Sequence, residues 1–210
     1  MIYFGTKAVR SISVLDSLTQ RKTEHFLISY HGIYEKEAQE VAEKLEANYN
    51  RIRTDLNDPH HEIIRVFIHP TQNDFNEATG LLHSNAKGTS RGPNEFHFVW
   101  TNWFNSIFPS DPRMTAIHEF VHCIQLNILI KKAQQEFPSA PQKDFDKLLE
   151  EKFIKKYPQW FWEALSDYEA GIVNKISVKY GMNKNPSLIS LNNSNQVYNV
   201  GYTIIEYIVE

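Results

Sequence analysis

Cysteine is almost missing from this chain: one residue, Cys123, in 210. No internal disulfide framework can form, and a lone thiol says little about redox compartment. Charge of one sign is scarce too. The 22 basic and 25 acidic side chains leave a formal charge of −3, which gives no electrostatic case for nucleic acid or an anionic membrane surface as partner. No run of 18 apolar residues appears, so no transmembrane span is expected. Met1 to Leu18 lacks the basic start, apolar core and cleavage site of a secretory signal. The expected location is the cytoplasm, or outside it under a signal that this stretch does not carry. Internal repeats are absent as well. What is present is 41% hydrophobic and 22% charged, a globular composition in a chain long enough to bury a core.

Against that background one short word stands out, His118-Glu119-Phe120-Val121-His122. On a helix, residues i and i+4 lie one above the other, so both imidazoles can reach one metal ion. Glu119, about 100° round the helix, can reach a water on that metal. This is the HExxH pattern of zinc peptidases, in which the glutamate is the general base. The flanking residues support a helix. Asp111 is placed to cap it and Pro112 to occupy its first position, and from Arg113 to Lys132 there is neither Gly nor Pro. Met114, Ile117, Val121, Ile124 and Ile128 make an apolar stripe, with His118, His122 and Gln125 as a polar strip beside it. The alternative is a pair of half-buried histidines on an ordinary helix. Cys123 points away from His122 and reads as a buried structural thiol.

A catalytic zinc site needs a third protein ligand. Trp160 to Tyr168 reads as a second helix beginning after Pro158. Glu163 sits there among large aromatics, where an unpaired carboxylate is costly to bury and a metal would compensate. Asp167, one turn on, is suited to accept the free ring N–H of a ligating histidine. The alternative for Glu163 and Asp167 is a solvated helix face.

His118-Glu119-Phe120-Val121-His122 followed by Trp160-x-x-Glu163-Ala164-Leu165-Ser166-Asp167-Tyr168 resembles the gluzincins, zinc peptidases with two His and one Glu as ligands. The words around the ligands are similar to those of aminopeptidase N-like and peptidase MA-like domains, and Glu163 to Asp167 resembles the thermolysin-like Glu-x-x-x-Asp. Tyr198-Asn199-Val200-Gly201 resembles the Tyr-x-x-Gly that opens a later helix in those families. The resemblance implies one Zn²⁺ on His118, His122 and Glu163, Glu119 as base, Asp167 behind the ligands, and a Tyr198 hydroxyl that stabilises the tetrahedral intermediate. It also implies a strand at 94–100 forming the sheet edge that pairs with substrate; an internal strand is the alternative. Three departures stand out. Ala164 replaces a customary Gly, 40 residues separate His122 from Glu163, and Gly92-Pro93-Asn94-Glu95-Phe96 shares only Gly and Glu with the aminopeptidase Gly-x-Met-Glu-Asn. Glu95 therefore reads as an ordinary strand residue rather than a binder of a substrate amine.

The expected fold class is α+β: a zincin-like catalytic domain whose small mixed sheet has an edge strand above the active-site helix, followed by a mainly helical half. Residues 1–22 read as a leader or tail and 23–210 as one domain, α/β over 23–110 and helical over 111–210. Residues 134–157 read as a loop and helix inserted between the ligand helices. Strands are expected at 24–30, 62–68 and 95–100, a helix from Tyr34 to about Thr54, and a short helix at 72–79 stopped by Gly80. The remaining histidines, His25, His31, His60, His61, His69, His83 and His97, read as surface or satisfied residues. Asn102, Trp103 and Phe104 read as cleft or core. The expected activity is hydrolysis of a peptide or protein substrate by a zinc-activated water. The alternatives are a zinc-binding but inactive interaction domain, or a zinc hydrolase of a non-peptide amide.

Overall fold

The computed structural model describes residues 18–58, 62–100, 111–182, 187–192 and 197–209. The chain divides into two compact units, one up to Asn127 and one from Ile128 onward. The first holds a five-stranded mixed sheet in the order β1-β2-β3-β5-β4. Its strands are β1 (Leu18–Lys22), β2 (Phe26–His31), β3 (Ile64–His69), β4 (Gly88–Ser90) and β5 (Glu95–Val99). The central pairings β2/β3 and β3/β5 are parallel, while the outer pairings β1/β2 and β4/β5 are antiparallel.

Two helices connect the parallel strands. The first, α1 (Glu35–Asp55), buries Ala38, Val41, Ala42, Leu45, Tyr49 and Ile52, the face its three- and four-residue spacing predicts. The second, α2 (Gln72–Thr79), starts where the Thr71 hydroxyl accepts from the Asp74 N–H. It stops at Gly80, whose φ of 73° is left-handed. On β3, Ile64, Val66 and Ile68 face one side of the sheet and Arg65, Phe67 and His69 the other.

Two expectations are corrected here. Leu18–Lys22, placed in the leader, is strand β1, paired in full with β2. Its residues Leu-Thr-Gln-Arg-Lys carry one apolar side chain, so periodicity could not flag it. Strand β5, expected at the edge, is interior: β3 lies on one side and β4 on the other. Among the described residues the outer strand on that side is β4, three residues long and too short to carry an alternating pattern.

Helix α3 (Pro112–Glu136) carries the HExxH word. Asp111 caps it, its carboxylate accepting from the Arg113 N–H at 2.9 Å. The helix differs from the expected amphipathic one. Every residue from Ala116 to Asn127 is buried, so it is covered on all faces and its polar side chains are withdrawn from water with the apolar ones. Phe120 anchors it, edge-on to Phe26 of β2 and stacked with Tyr49 of α1.

Beyond α3 the structure is helical: α4 (Gln142–Lys152), α5 (Gln159–Ala170), α6 (Lys175–Met182), α7 (Leu188–Leu191) and α8 (Val197–Val209). The second unit has its own core, in which Trp160 and Ala164 of α5 pack with Leu191, Val197, Val200 and Ile205. Among the described residues, no helix is long and apolar enough to cross a membrane. His60, His61, Asn102, Trp103 and Phe104, and most of the polar loops before α8, lie outside the described residues.

Candidate metal centre

Helical spacing brings His118 and His122 onto one face of α3, ring centroids 4.7 Å apart and planes 87° to each other. Glu163 comes from α5. Each of the three offers one ligand atom, these atoms all lie within 4.8 Å of one another, and all three residues are buried. Of the described residues, these alone form a group of three or more His, Cys, Asp or Glu able to hold a metal ion. A carboxylate that is 5% exposed needs a compensating cation or strong donors. Two imidazole nitrogens and a carboxylate oxygen are a donor set that suits a divalent ion such as zinc.

The ring of His122 is held from behind. Its Nδ1 stands 2.8 Å from the Gln125 side-chain oxygen, and both residues are buried. An amide oxygen only accepts, so Nδ1 carries the proton and Nε2 the lone pair that a metal takes. The spacing of His122 and Gln125, three apart on one helix, places the two side chains together. Asp167, to which that kind of support was assigned, lies one turn beyond Glu163 and is also buried.

Glu119 is buried on the same helix. Its Oε2 accepts from the Ser90 hydroxyl at 3.0 Å, and the same hydroxyl is 2.8 Å from the Glu119 carbonyl oxygen. Its shaft lies over Gly88: a Cβ built there would meet Glu119 Oε1 at 2.4 Å and Cγ at 2.6 Å. Cys123, one turn on, donates its thiol to the Glu95 carbonyl oxygen at 3.7 Å, and burial pushes its pKa up. It is an inert thiol.

The second unit seats Glu163 by close packing. A Cβ at Gly201 would stand 2.7 Å from the Ala164 Cβ and 3.5 Å from the Trp160 carbonyl oxygen, so α8 approaches α5 where Gly201 faces Ala164. The Trp160 N–H, in the first turn of α5, donates to the Asn192 side-chain oxygen at 3.2 Å. Tyr198 sits at the start of α8 with 45% of its surface exposed. Glu95 is engaged elsewhere, paired with Arg65 at 2.7 Å and with His97 Nε2 at 3.1 Å.

Sequence reasoning named His118, His122, Glu163, Glu119, Asp167 and Tyr198. It gave no role to Gln125, Gly88, Ser90 or Asn192. Gln125 had a signal, its three-residue spacing from His122, whereas the other three approach their partners only through tertiary structure. No protein-family model matches the chain, and no curated protein matches it in sequence.

Proposed function

We propose that the chain is a zinc-dependent metallopeptidase of the gluzincin type, with a zincin-like catalytic domain. The observation that carries this reading is that His118, His122 and Glu163, all buried, offer ligand atoms within 4.8 Å of one another. The HExxH spacing accounts for the two histidines, but it gives no reason for a third ligand 41 positions after His122 to lie beside them.

Zinc held there would acidify a bound water toward a pKa of about 7 and polarise the scissile carbonyl. Glu119 takes a proton from the attacking water and returns it to the leaving nitrogen. Ser90 leaves Glu119 Oε1 without that hydroxyl contact, so one carboxylate oxygen is anchored while the other can accept the proton. Tyr198, half-exposed at the helix start, donates its hydroxyl to the developing oxyanion.

The test is metal analysis of the purified chain together with cleavage of a mixed peptide library, repeated on Glu119→Gln. One zinc per chain in both proteins is expected, with turnover lost by at least about 10²-fold in the variant. Zinc without cleavage in the parent would make the chain a binding module. Cleavage undiminished in Glu119→Gln would remove Glu119 as base.

A further inference from the structure

Strand β4 has no sequence pattern, yet two of its three residues meet the same side chain. Gly88 and Ser90 are two apart on a strand and so point to one face. On that face lies Glu119: its Oε1, Cγ and Cδ stand within 2.8 Å of where a Gly88 Cβ would be, and its Oε2 takes the Ser90 hydroxyl. The backbone does not call for glycine at 88, because its φ lies outside the left-handed region that favours that residue. Glycine inside a strand weakens it, and a close approach by another group is the usual reason for keeping one. Ser90 is likewise completely buried, in a place where a hydroxyl needs a partner to be tolerated.

We propose that β4 is the seat of Glu119, with Gly88 and Ser90 as positioning residues: glycine leaves the space in which the carboxylate lies, and the serine hydroxyl fixes its rotation. This rests on the reading of Glu119 as general base and adds what determines its orientation. A hydrogen bond on Oε2 and the space left beside Oε1 together restrict the carboxylate's twist and position. A buried glutamate without them would be free to turn toward other donors.

The experiment is a pair of double-mutant cycles in the full chain, read first by thermal unfolding and then by kinetics. Gly88→Ala is expected to lower the midpoint of the parent and to leave that of Glu119→Ala nearly unchanged, because that second substitution removes the three nearest atoms the new methyl would meet. Ser90→Ala is expected to destabilise the parent more than it destabilises Glu119→Ala. Equal shifts in the two backgrounds, for both residues, would overturn the proposal, whether or not the chain has any activity. In the active chain, Gly88→Ala and Ser90→Ala should each lower kcat on the order of 10²-fold at unchanged KM and zinc content, and Ser90→Thr should restore part of it. A rise in KM with kcat intact would assign β4 to substrate binding alone and sink the positioning role. A peptide-inactive parent that still shows the stability coupling would refute the peptidase reading and leave the seat of Glu119 standing.

Discussion

Two sets of one carboxylate and two imidazoles stand among the described residues, Glu95, His97 and His69, of which only His97 is buried, and His118, His122 and Glu163, all buried, and they are laid out differently. In the first, the groups stand in series across β5 and β3. Arg65 pairs with Glu95, Glu95 accepts from His97 Nε2, and His97 Nδ1 is 2.9 Å from His69 Nε2. Because the carboxylate only accepts, His97 carries its proton on Nε2, and His69 must donate to the remaining Nδ1. The carboxylate's charge is met by an arginine and the ring nitrogens of His97 are used within the chain of bonds. In the second set, each residue offers one ligand atom, and these atoms lie within 4.8 Å of one another. Composition is therefore a poor guide to a metal site. One set is a line of hydrogen-bonded partners, and the other brings three ligand atoms within reach of one ion.

The largest effect expected from this contrast is on metal content. Glu163→Ala should take the chain from about one zinc to nearly none, since two histidines alone leave an incomplete ligand set. Glu95→Gln should leave the zinc unchanged, although it disturbs a carboxylate flanked just as closely by histidine. Atomic absorption on the two variants breaks the comparison if both lose metal or neither does. A smaller effect is expected at Gln125, which holds the His122 ring in one tautomer. Gln125→Leu should weaken zinc binding about 10- to 100-fold in a competitive chelator titration, and Gln125→Glu should keep it tight. An unchanged affinity in the leucine variant would shift the support of His122 to another residue, with Asp167 the first to examine.

The elements that could be read from sequence are those where one rule governs many residues. The whole buried face of α1 follows from its spacing, and Gly80 ends α2 because a left-handed residue was needed there. The three candidate ligands were legible for a similar reason: two share a helix face, and the third is a carboxylate placed among tryptophans. Failure came where the partner is distant in sequence and the segment short. Strand β4 is three residues paired with β5 and pressed against a helix side chain 29 positions on from Ser90, so nothing local distinguishes it from a loop. Strand β1 pairs through its backbone while its side chains look polar. The full burial of α3 was also illegible: His118, His122 and Gln125 read as a polar strip beside the apolar stripe, and Asn127 was given no place. Their burial depends on partners: Asn127, for instance, donates to Asp58 at 2.6 Å.

The series cluster should reveal itself through pH rather than metal. Burial, then His97 and His31, push the His69 pKa from 6.5 down to about 3, and burial lowers His97 too, outweighing the help of Glu95. A histidine held neutral in the fold but free to ionise when unfolded contributes stability in full above about 6.5, and loses it as pH falls from there toward the folded value. At about 1.4 kcal/mol per pH unit, His69 alone should cost the chain about 2 kcal/mol between pH 7 and pH 5. The carboxylates with depressed values, Glu46 and Glu95 among them, lose their contribution only below their usual 4.5, so this window belongs to histidine. His69→Phe removes the titrating group and leaves His97 Nδ1 without its donor. The variant should be less stable than the parent at pH 7, but its unfolding free energy should fall less steeply toward pH 5, by about 2 kcal/mol across the window. Urea unfolding of both proteins at the two pH values measures the difference directly. Parallel losses in parent and variant would mean that His69 titrates normally, and that the series cluster is open to protons after all.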